Sequence, residues 1–249
     1  MIHLKSPQEI TVMKEGGRRL KLVVKELLPL IKAGVTTREI DTRAEKLIRE
    51  QGCQSSFKTV SGYPFTICSP INEQIVHTKP SNRVLKEGDV MTLDIGLIHG
   101  GLHTDYALTK IVGENKVKSV HKFLEVGENT LYKAIKKAKA GNHLGDISAV
   151  IEKEIVGHGY FIIKELTGHG IGKKLHEDPY VFGYLDRPIN KTLLIKQGLV
   201  IAIEVIYAQS TDVMVYEEDD WSIRTKDRSL SGCFEHTIAV TAQGPAILT

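Results

Sequence analysis

Two apolar, β-rich runs separated by a glycine break constrain the fold of this chain more than any other feature. Residues 90–98 read Val-Met-Thr-Leu-Asp-Ile-Gly-Leu-Ile, and residues 102–112 read Leu-His-Thr-Asp-Tyr-Ala-Leu-Thr-Lys-Ile-Val. The intervening His99-Gly100-Gly101 is typical of a tight turn, so the runs are predicted to form an antiparallel hairpin. Helical and strand segments alternate elsewhere, but this hairpin favours an α+β fold with an antiparallel sheet over a doubly wound fold.

Each strand of the predicted hairpin carries one aspartate. A two-residue loop at His99-Gly100 would place Asp94 directly opposite Asp105, with Cβ atoms about 5 Å apart and their like charges repelling. A cation between the two carboxylates would turn that repulsion into a binding site. A slipped register would leave the aspartates in separate surface roles, but the apolar surroundings of Asp94 favour the paired arrangement.

Three further polar residues lie in segments that resemble buried strands or tight turns. Glu204 and Glu235 interrupt apolar runs, and His169 lies between glycines that let the backbone bend sharply. A single buried glutamate is most simply part of a salt bridge, whereas two glutamates beside an aspartate pair favour a metal site. Burial of such groups is costly without a positive partner, and two divalent metal ions would supply one and generate a nucleophilic hydroxide. The predicted ligands of this two-metal hydrolase site are Asp94, Asp105, His169, Glu204 and Glu235.

The composition fits a globular protein with a substantial core. The chain has 249 residues, 41% of them hydrophobic, and a formal net charge of +3, which is too small to indicate nucleic-acid binding. Its three cysteines are not closely spaced, which argues against a disulfide scaffold or a zinc knuckle. The N-terminal residues show no apolar signal segment, so the reducing cytoplasm is the expected location.

Four helices are predicted from capping signals and apolar periodicity. Ser6-Pro7-Gln8-Glu9 and Thr36-Thr37-Arg38-Glu39 both read as capping boxes, the first opening a helix to about Pro29 and the second a helix that ends at Gly52. The third and fourth are expected at about 121–140 and 145–156. Lys-Ala-Gly recurs at an offset of 107 residues (32–34 and 139–141), which indicates two related halves of about 1–115 and 116–249, unless two amphipathic helical pairs are similar by chance.

An ordered set of short motifs resembles the type I methionine aminopeptidases of peptidase family M24, nearly from end to end. The resemblance implies one catalytic domain, residues 1–249, with the pita-bread fold: an α+β fold with pseudo-twofold symmetry, in which helices cover a curved antiparallel sheet. The matching stretches are Ser6-Pro7-Gln8-Glu9-Ile10, Gly62-Tyr63-Pro64 with Cys68, Ile71-Asn72-Glu73 leading to His77, Leu93-Asp94-Ile95-Gly96, His103-Thr104-Asp105, Thr167-Gly168-His169-Gly170-Ile171-Gly172, His176-Glu177-Asp178-Pro179, Ile203-Glu204, Trp221 through Thr225-Lys226-Asp227-Arg228-Ser229-Leu230-Ser231, and Glu235-His236-Thr237.

The resemblance implies a role for each predicted ligand. Asp94 would bind one of two divalent ions, Asp105 and Glu235 would bridge both, and His169 and Glu204 would bind the other. Glu204 would also shuttle the proton as a bridging water attacks the first peptide bond. The metals that the resemblance implies are Co²⁺, Mn²⁺, Fe²⁺ or Zn²⁺, and the mixed oxygen and nitrogen ligand set does not choose among them.

The implied reaction removes an N-terminal methionine when the second residue is small. His77 would contact the scissile amide nitrogen and His176 the carbonyl oxygen. The expected methionine pocket is lined by Tyr63, Cys68, Leu175 and Trp221. The implied partners are nascent polypeptide N-termini with transient ribosome proximity, for a monomer that binds neither specific nucleic acid nor a membrane.

Several residues depart from the family pattern. Val60 and Ser61 replace the usual Tyr-His, Leu175 stands where an aromatic residue is common, Thr104 replaces a glycine and Val205 a proline. Val60 and Leu175 are smaller than the usual pocket residues, so a wider pocket is expected. The alternatives are an Xaa-Pro peptidase of the same fold, distinguishable by its peptide substrates, and a non-catalytic pita-bread binding module.

Overall fold

The computed structural model describes residues 2–249, in which four α-helices pack against one large antiparallel sheet. The helices are α1 (Pro7–Leu27), α2 (Thr37–Glu50), α3 (Lys118–Ile135) and α4 (Leu144–Gly157). The strands are β1 (Gln54–Ser55), β2 (Ile67–Cys68), β3 (Gln74–Val76), β4 (Val90–His99), β5 (Leu102–Ile111), β6 (Phe161–Ile162), β7 (Thr167–Gly170), β8 (Glu177–Phe182), β9 (Val200–Ala208), β10 (Met214–Tyr216), β11 (Ile223–Thr225), β12 (Ser231–Thr241) and β13 (Gly244–Ile247).

The large sheet has ten strands in the order β1-β4-β5-β12-β9-β7-β8, with β2, β6 and β13 pairing alongside. A second sheet of three strands follows the order β10-β11-β3. Neighbouring strands pair antiparallel, including the β4–β5 hairpin. The predicted α+β architecture is therefore confirmed.

The helices lie on one face of the large sheet. Alternate residues of β9, such as Ile203 and Val205, pack in a core with α3 and α4. Alternate residues of β4, such as Leu93 and Ile95, pack in a second core with α1 and α2. Since side chains alternate between the two faces of a strand, the residues between them point to the face that the helices leave uncovered.

Both predicted capping boxes are present. The Ser6 hydroxyl accepts a hydrogen bond from the Glu9 amide, and the Glu9 carboxylate accepts one from the Ser6 amide. The Thr36 and Glu39 pair repeats this exchange at the start of α2. Helix α1 ends at Leu27 and continues as a short 3₁₀ turn over Leu28–Leu30, close to the predicted end.

Helix α3 lies about three to five residues before its predicted bounds, running from Lys118 to Ile135. Its N-cap is Val117, which has no capping side chain, and the Asn115 side chain accepts a hydrogen bond from the Val117 amide in the turn that leads into the helix. At its end, the amides of Lys137 and Ala138 bond to carbonyls three residues back, which tightens the chain out of the α-helix. No helix within residues 2–249 is both long and apolar enough to cross a membrane.

Candidate metal centre and its cavity

The hairpin that carries the two aspartates has a different register from the predicted one. His99 pairs with Leu102, so Gly100-Gly101 forms the loop, and Asp94 lies opposite Ala107. The prediction that Asp94 faces Asp105 directly is therefore wrong. Both loop glycines have positive φ, which a two-residue type I′ turn requires at its two central positions. Asp94 and Asp105 still lie on one face as diagonal neighbours, because Asp105 is two residues from Ala107.

The strand register brings the five predicted ligands together in two adjacent rows across the sheet. In the first row, Ala107 separates Asp94 from Glu235, and Glu235 pairs directly with Glu204. In the second row, Asp105 is joined to His169 through the neighbouring strands. Thr237 bonds the Asp105 backbone and pairs with Ala202, which in turn pairs with His169. Five strands, β4, β5, β12, β9 and β7, therefore contribute one predicted ligand each on the same face.

The side chains of this cluster converge closely. Ligand atoms of Asp105, His169 and Glu235 all lie within 4.8 Å of one another, and all three residues are buried. His169 Nε2 lies 3.5 Å from Glu204 Oε1. His169 Nδ1 lies 2.8 Å from the Gly170 carbonyl oxygen, which fixes the proton on Nδ1 and leaves the Nε2 lone pair directed at the carboxylates.

The glycines beside His169 act through close packing, not through the sharp bend predicted for them. Neither Gly168 nor Gly170 has a positive φ. A methyl group at Gly168 would overlap the Ala202 carbonyl oxygen, and one at Gly170 would overlap the Asp178 carbonyl oxygen. The two glycines therefore let β9 and β8 approach β7 from either side, and this close approach sets the position of the His169 ring.

The carboxylates are electrostatically strained without a cation. Burial raises the pKa of Asp105 to about 7. Burial and the charges of Asp105 and the neighbouring carboxylates raise the pKa of Asp94, Glu204 and Glu235 well above their usual range. Glu235 Oε1 is buried without a hydrogen-bond partner. Among the residues described, the only basic side chain within ion-pair distance of any of the four carboxylates is His169, and burial lowers its pKa to about 3, so it brings no positive charge near pH 7.

These residues fit a pair of divalent cations. Four carboxylates carry four negative charges when ionised, which two divalent ions would neutralise, and carboxylate oxygens with one imidazole suit the first-row transition metals. The Glu235 oxygen without a hydrogen-bond partner and the Nε2 lone pair of His169 are atoms that could bind a metal ion.

All the residues predicted for catalysis, metal binding and substrate binding line one cavity of about 870 Å³. Tyr63 and Trp221 form one wall, with ring centroids 5.0 Å apart. Cys68 lies beside them, directly opposite Asp94 in the β2–β4 pair, and Leu175 packs in the same apolar cluster. An apolar pocket therefore adjoins the carboxylates.

Two histidines stand beside the cluster without belonging to it. The His176 ring lies 4.5 Å from the His169 ring, centroid to centroid, and burial lowers the pKa of His176. His77 is exposed at the cavity, yet the surrounding protein and His176 lower its pKa to about 4. Both imidazoles are therefore neutral near pH 7.

The His176 loop is held by contacts that sequence analysis did not identify. Lys5 Nζ, on a fully buried side chain, lies 2.7 Å from Glu177 Oε2, and Glu177 Oε1 accepts a hydrogen bond from the Lys174 amide. The Gly172 carbonyl accepts a hydrogen bond from the His103 amide at the start of β5. The loop between these anchors is thereby fixed to the strand that carries Asp105.

The departures from the family pattern fall on two different sides of the sheet. Val60 and Leu175 line the cavity, as expected. Thr104 and Val205 precede and follow ligands on their strands and therefore point to the helical face, where Val205 lies in the core with α3 and α4. These two departures leave the cavity unchanged. Sequence analysis missed further lining residues, among them Phe57, Glu165, Leu166, Thr167, Tyr180, Ile206 and Cys233.

Comparisons with known proteins agree with this site. Residues 11–242 match the model of Metallopeptidase family M24. Methionine aminopeptidase 1 of Bacillus subtilis is 41% identical, over 100% of this chain and 99% of that protein. The crystal structure of methionine aminopeptidase from Thermotoga maritima superposes with a TM-score of 0.96 at 34% identity, covering 100% of this chain and 99% of the other.

A more distant structure shows only that the fold is shared. Prolidase from Pyrococcus furiosus superposes with a TM-score of 0.77 at 20% identity, and the match covers 99% of this chain but 65% of the prolidase. The methionine aminopeptidases match at nearly full length on both sides and at higher identity. The chain therefore belongs to metallopeptidase family M24 and, within it, to the methionine aminopeptidases.

Proposed function

We propose that this chain removes the N-terminal methionine from polypeptides whose second residue is small, acting as a single catalytic domain. One observation carries the proposal: the buried carboxylate and histidine cluster adjoins an apolar pocket in the same cavity. The pocket accepts the methionine side chain, because Tyr63, Trp221, Cys68 and Leu175 offer the aromatic and apolar surface that a thioether favours. The first peptide bond then lies beside the carboxylates.

The proposed ligands are Asp94, Asp105, His169, Glu204 and Glu235, which would hold two divalent ions, with Co²⁺, Mn²⁺, Fe²⁺ and Zn²⁺ as candidates. When bound, such ions polarise the carbonyl oxygen of the substrate and lower the pKa of a bound water. Glu204 takes up the proton released during attack and returns it to the leaving amine. Its pKa is raised even in the metal-free site, so it retains affinity for a proton.

The two neutral histidines orient the substrate. His176 donates a hydrogen bond to the carbonyl oxygen of methionine, and His77 contacts the scissile amide nitrogen. A neutral imidazole can serve as donor or acceptor, and the lowered pKa of each keeps it in that form near pH 7.

The setting of the reaction is proposed to be the cytoplasm, on N-termini of nascent polypeptides near the ribosome, with the chain acting as a monomer. Cys53, Cys68 and Cys233 are free thiols, which suits a reducing compartment. The mild net charge of +3 gives no basis for binding to specific nucleic acid.

Peptide cleavage by metal-stripped protein, with metals added back one at a time, tests this function. We expect no cleavage of Met-Ala-Ser by the stripped protein and restored cleavage with at least one of the four metals, with no cleavage of an Xaa-Pro peptide. Faster cleavage of the Xaa-Pro peptide would favour the prolidase-like alternative. Metal binding without cleavage of either peptide would indicate a binding module.

The small residues Val60 and Leu175 are expected to widen the methionine pocket. The Val60→Tyr, Leu175→Phe double variant should therefore increase the preference for Met-Ala-Ser over Leu-Ala-Ser and norleucine-Ala-Ser. One methylene in an apolar pocket changes selectivity by about 10-fold to 200-fold at most, so the increase should be graded, on the order of tenfold. The two single variants separate the contributions. Unchanged relative kcat/KM values would show that these two positions do not shape specificity.

A further inference from the structure

A row of three aromatic side chains runs outward from the cavity along β8 and the short segment that follows it. Tyr180 and Phe182 alternate within β8 and therefore share one face, and Tyr184 follows in the bend after the strand, where its ring contacts Phe182 and also packs against the core beside α4. The ring centroids of Tyr180 and Phe182 are 6.4 Å apart, and those of Phe182 and Tyr184 are 5.6 Å apart. We call these three residues the aromatic track.

The track lies on the same sheet face as the metal centre. Tyr180 pairs with His169 across β7 and β8, and Phe182 pairs with Thr167. Side chains of directly paired residues point to the same side of a sheet. Tyr180 and Thr167 both line the cavity, so the track begins at the cavity wall and continues away from it.

The backbone under the track is rigidly held. Val181, between the first two rings, is fully buried in the core beneath α4. A methyl group at Gly183 would lie only 3.2 Å from the Ile162 side chain, so this position also packs tightly against the fold. The Leu185 amide donates a hydrogen bond to Glu152 of α4. The opposite face of the strand is therefore anchored while the Tyr180 ring points outward.

The three rings differ in how far they are exposed to solvent. Tyr180 has 66% of its surface exposed, more than any other large hydrophobic residue described. Phe182 is half-buried and Tyr184 is half-buried with Lys164 Nζ 5.8 Å from its ring centroid. One largely exposed ring that continues into two partly exposed rings, and that starts at the cavity wall, offers apolar surface to a chain leaving the cavity.

We propose that the aromatic track binds the substrate polypeptide beyond its second residue, in an extended conformation, and favours apolar or aromatic side chains at alternate positions. The inference rests on the proposed function, since an N-terminal methionine in the pocket directs the rest of the substrate out through the mouth of the cavity. An extended chain repeats every two residues at about 6.6 Å, close to the spacing of the rings. Alternate substrate side chains would therefore meet successive rings.

Charge at the mouth does not select this substrate. The cavity lining has both signs: it includes the lysines Lys173 and Lys174 and the carboxylates of Glu165, Asp178 and Glu177, the last paired with Lys5. Opposite charges in this mixture offer no net attraction to an acidic or a basic segment. Apolar contact with the rings is the remaining source of preference among the residues that follow the cleaved bond.

The test compares two length-matched substrates, Met-Ala-Ser-Leu-Ser-Leu-Ser and Met-Ala-Ser-Ser-Ser-Ser-Ser. The readout is the ratio of their kcat/KM values, in which any general loss of activity or folded protein cancels. Contact of a leucine side chain with a ring removes part of its apolar surface from water, so we expect the leucine peptide to be preferred by about 2-fold to 10-fold for each ring engaged. The ratio should fall towards one in the Tyr180→Ser, Phe182→Ser, Tyr184→Ser triple variant.

Tyr216→Ser is the matched control, because Tyr216 is a tyrosine of similar exposure, 62%, on the separate β10–β11 hairpin. Its ratio should equal that of the wild type. The Tyr180→Ser single variant keeps the test valid if the triple variant does not fold, since Tyr180 is largely exposed.

Calorimetric binding of the product peptide Ala-Ser-Leu-Ser-Leu-Ser gives a readout that needs no turnover. We expect weaker binding by the track variants than by the wild type or Tyr216→Ser. If the wild type cleaves both substrates with equal kcat/KM, or if the preference persists after the rings are removed, the track does not bind substrate. Cleavage of either peptide would still support the proposed function. If no peptide is cleaved, the proposed function fails, and equal product binding by wild type and track variants would overturn the track separately.

Discussion

Replacing His77 with alanine is expected to lower kcat for Met-Ala-Ser by about 10²-fold to 10⁴-fold while leaving the metal content unchanged. His77 lines the cavity but lies outside the cluster of carboxylates and His169. Its loss should therefore remove a substrate contact and no ligand. Steady-state kinetics together with metal analysis of the purified variant measure the two effects.

The backbone of His77 supplies a second argument for its role and a matched variant. Its φ of +57° lies in the left-handed region, which non-glycine residues seldom adopt, asparagine, aspartate and histidine being the most frequent among them, and residues held there cluster at functional sites. His77→Asn suits this conformation and removes the imidazole, so it should lose activity like His77→Ala with a smaller loss of stability. His158→Ala, an exposed histidine at the end of α4, is the control that should keep full activity. Loss of a metal ion in either His77 variant would contradict the assignment.

Local signals predicted the local parts of the fold well. The capping boxes at Ser6 and Thr36 form as the sequence indicates, because their hydrogen bonds span only three residues. Helix α4 begins close to its predicted position although its N-cap is His143, a residue type that rarely signals a helix start. The hairpin was predicted from its glycines, but its register was not, because the choice of loop residues depends on backbone dihedrals that two adjacent glycines leave open.

The site depended on contacts far apart in the sequence. Alternation within each strand placed each ligand on a face, but the pairing of β5 with β12 and of β9 with β7 decides which ligands meet. The resemblance to a known family supplied that information at the level of motifs. It did not supply the Lys5–Glu177 ion pair across 172 residues or the aromatic track, since neither has a local signature.

Metal-free protein is expected to lose stability as pH rises, because its buried carboxylates bind protons more tightly when folded than when unfolded. The pKa of Asp105 is raised to about 7, and burial raises those of Asp94, Glu204 and Glu235 well above their usual range. Unfolded carboxyls have pKa values of about 4. The stabilising contribution of the protonated carboxyls is therefore complete below about pH 4 and is lost as pH rises towards and beyond 7.

Glu235→Gln separates the stability of the metal-free protein from its function. The variant removes the charge of one of four mutually repelling carboxylates. Among them, Glu235 is the one with an oxygen, Oε1, that is buried without a hydrogen-bond partner. An unsatisfied buried polar group costs about 1–3 kcal/mol, more when it is charged, and each kcal/mol shifts Tm by about 2–4 °C in a domain of this size. In EDTA at pH 8, the variant should therefore melt several degrees above the metal-free wild type. With Mn²⁺ the order should reverse, because the wild type gains a ligand that binds only its folded state.

Thermal melts at pH 5 and pH 8, each with EDTA and with Mn²⁺, measure this reversal in the order of Tm. Peptide cleavage by the variant should be lost as well. Glu154→Gln is the control, because Glu154 pairs with Lys133 near the surface, so its loss should change Tm by at most about 2–4 °C and by the same amount with EDTA and with Mn²⁺. Equal melting of metal-free wild type at the two pH values would show that the carboxylates are not strained without metal. If the variant is less stable than the wild type in EDTA at pH 8, Glu235 stabilises the metal-free fold. Its burial would then be explained by packing and not by cation binding.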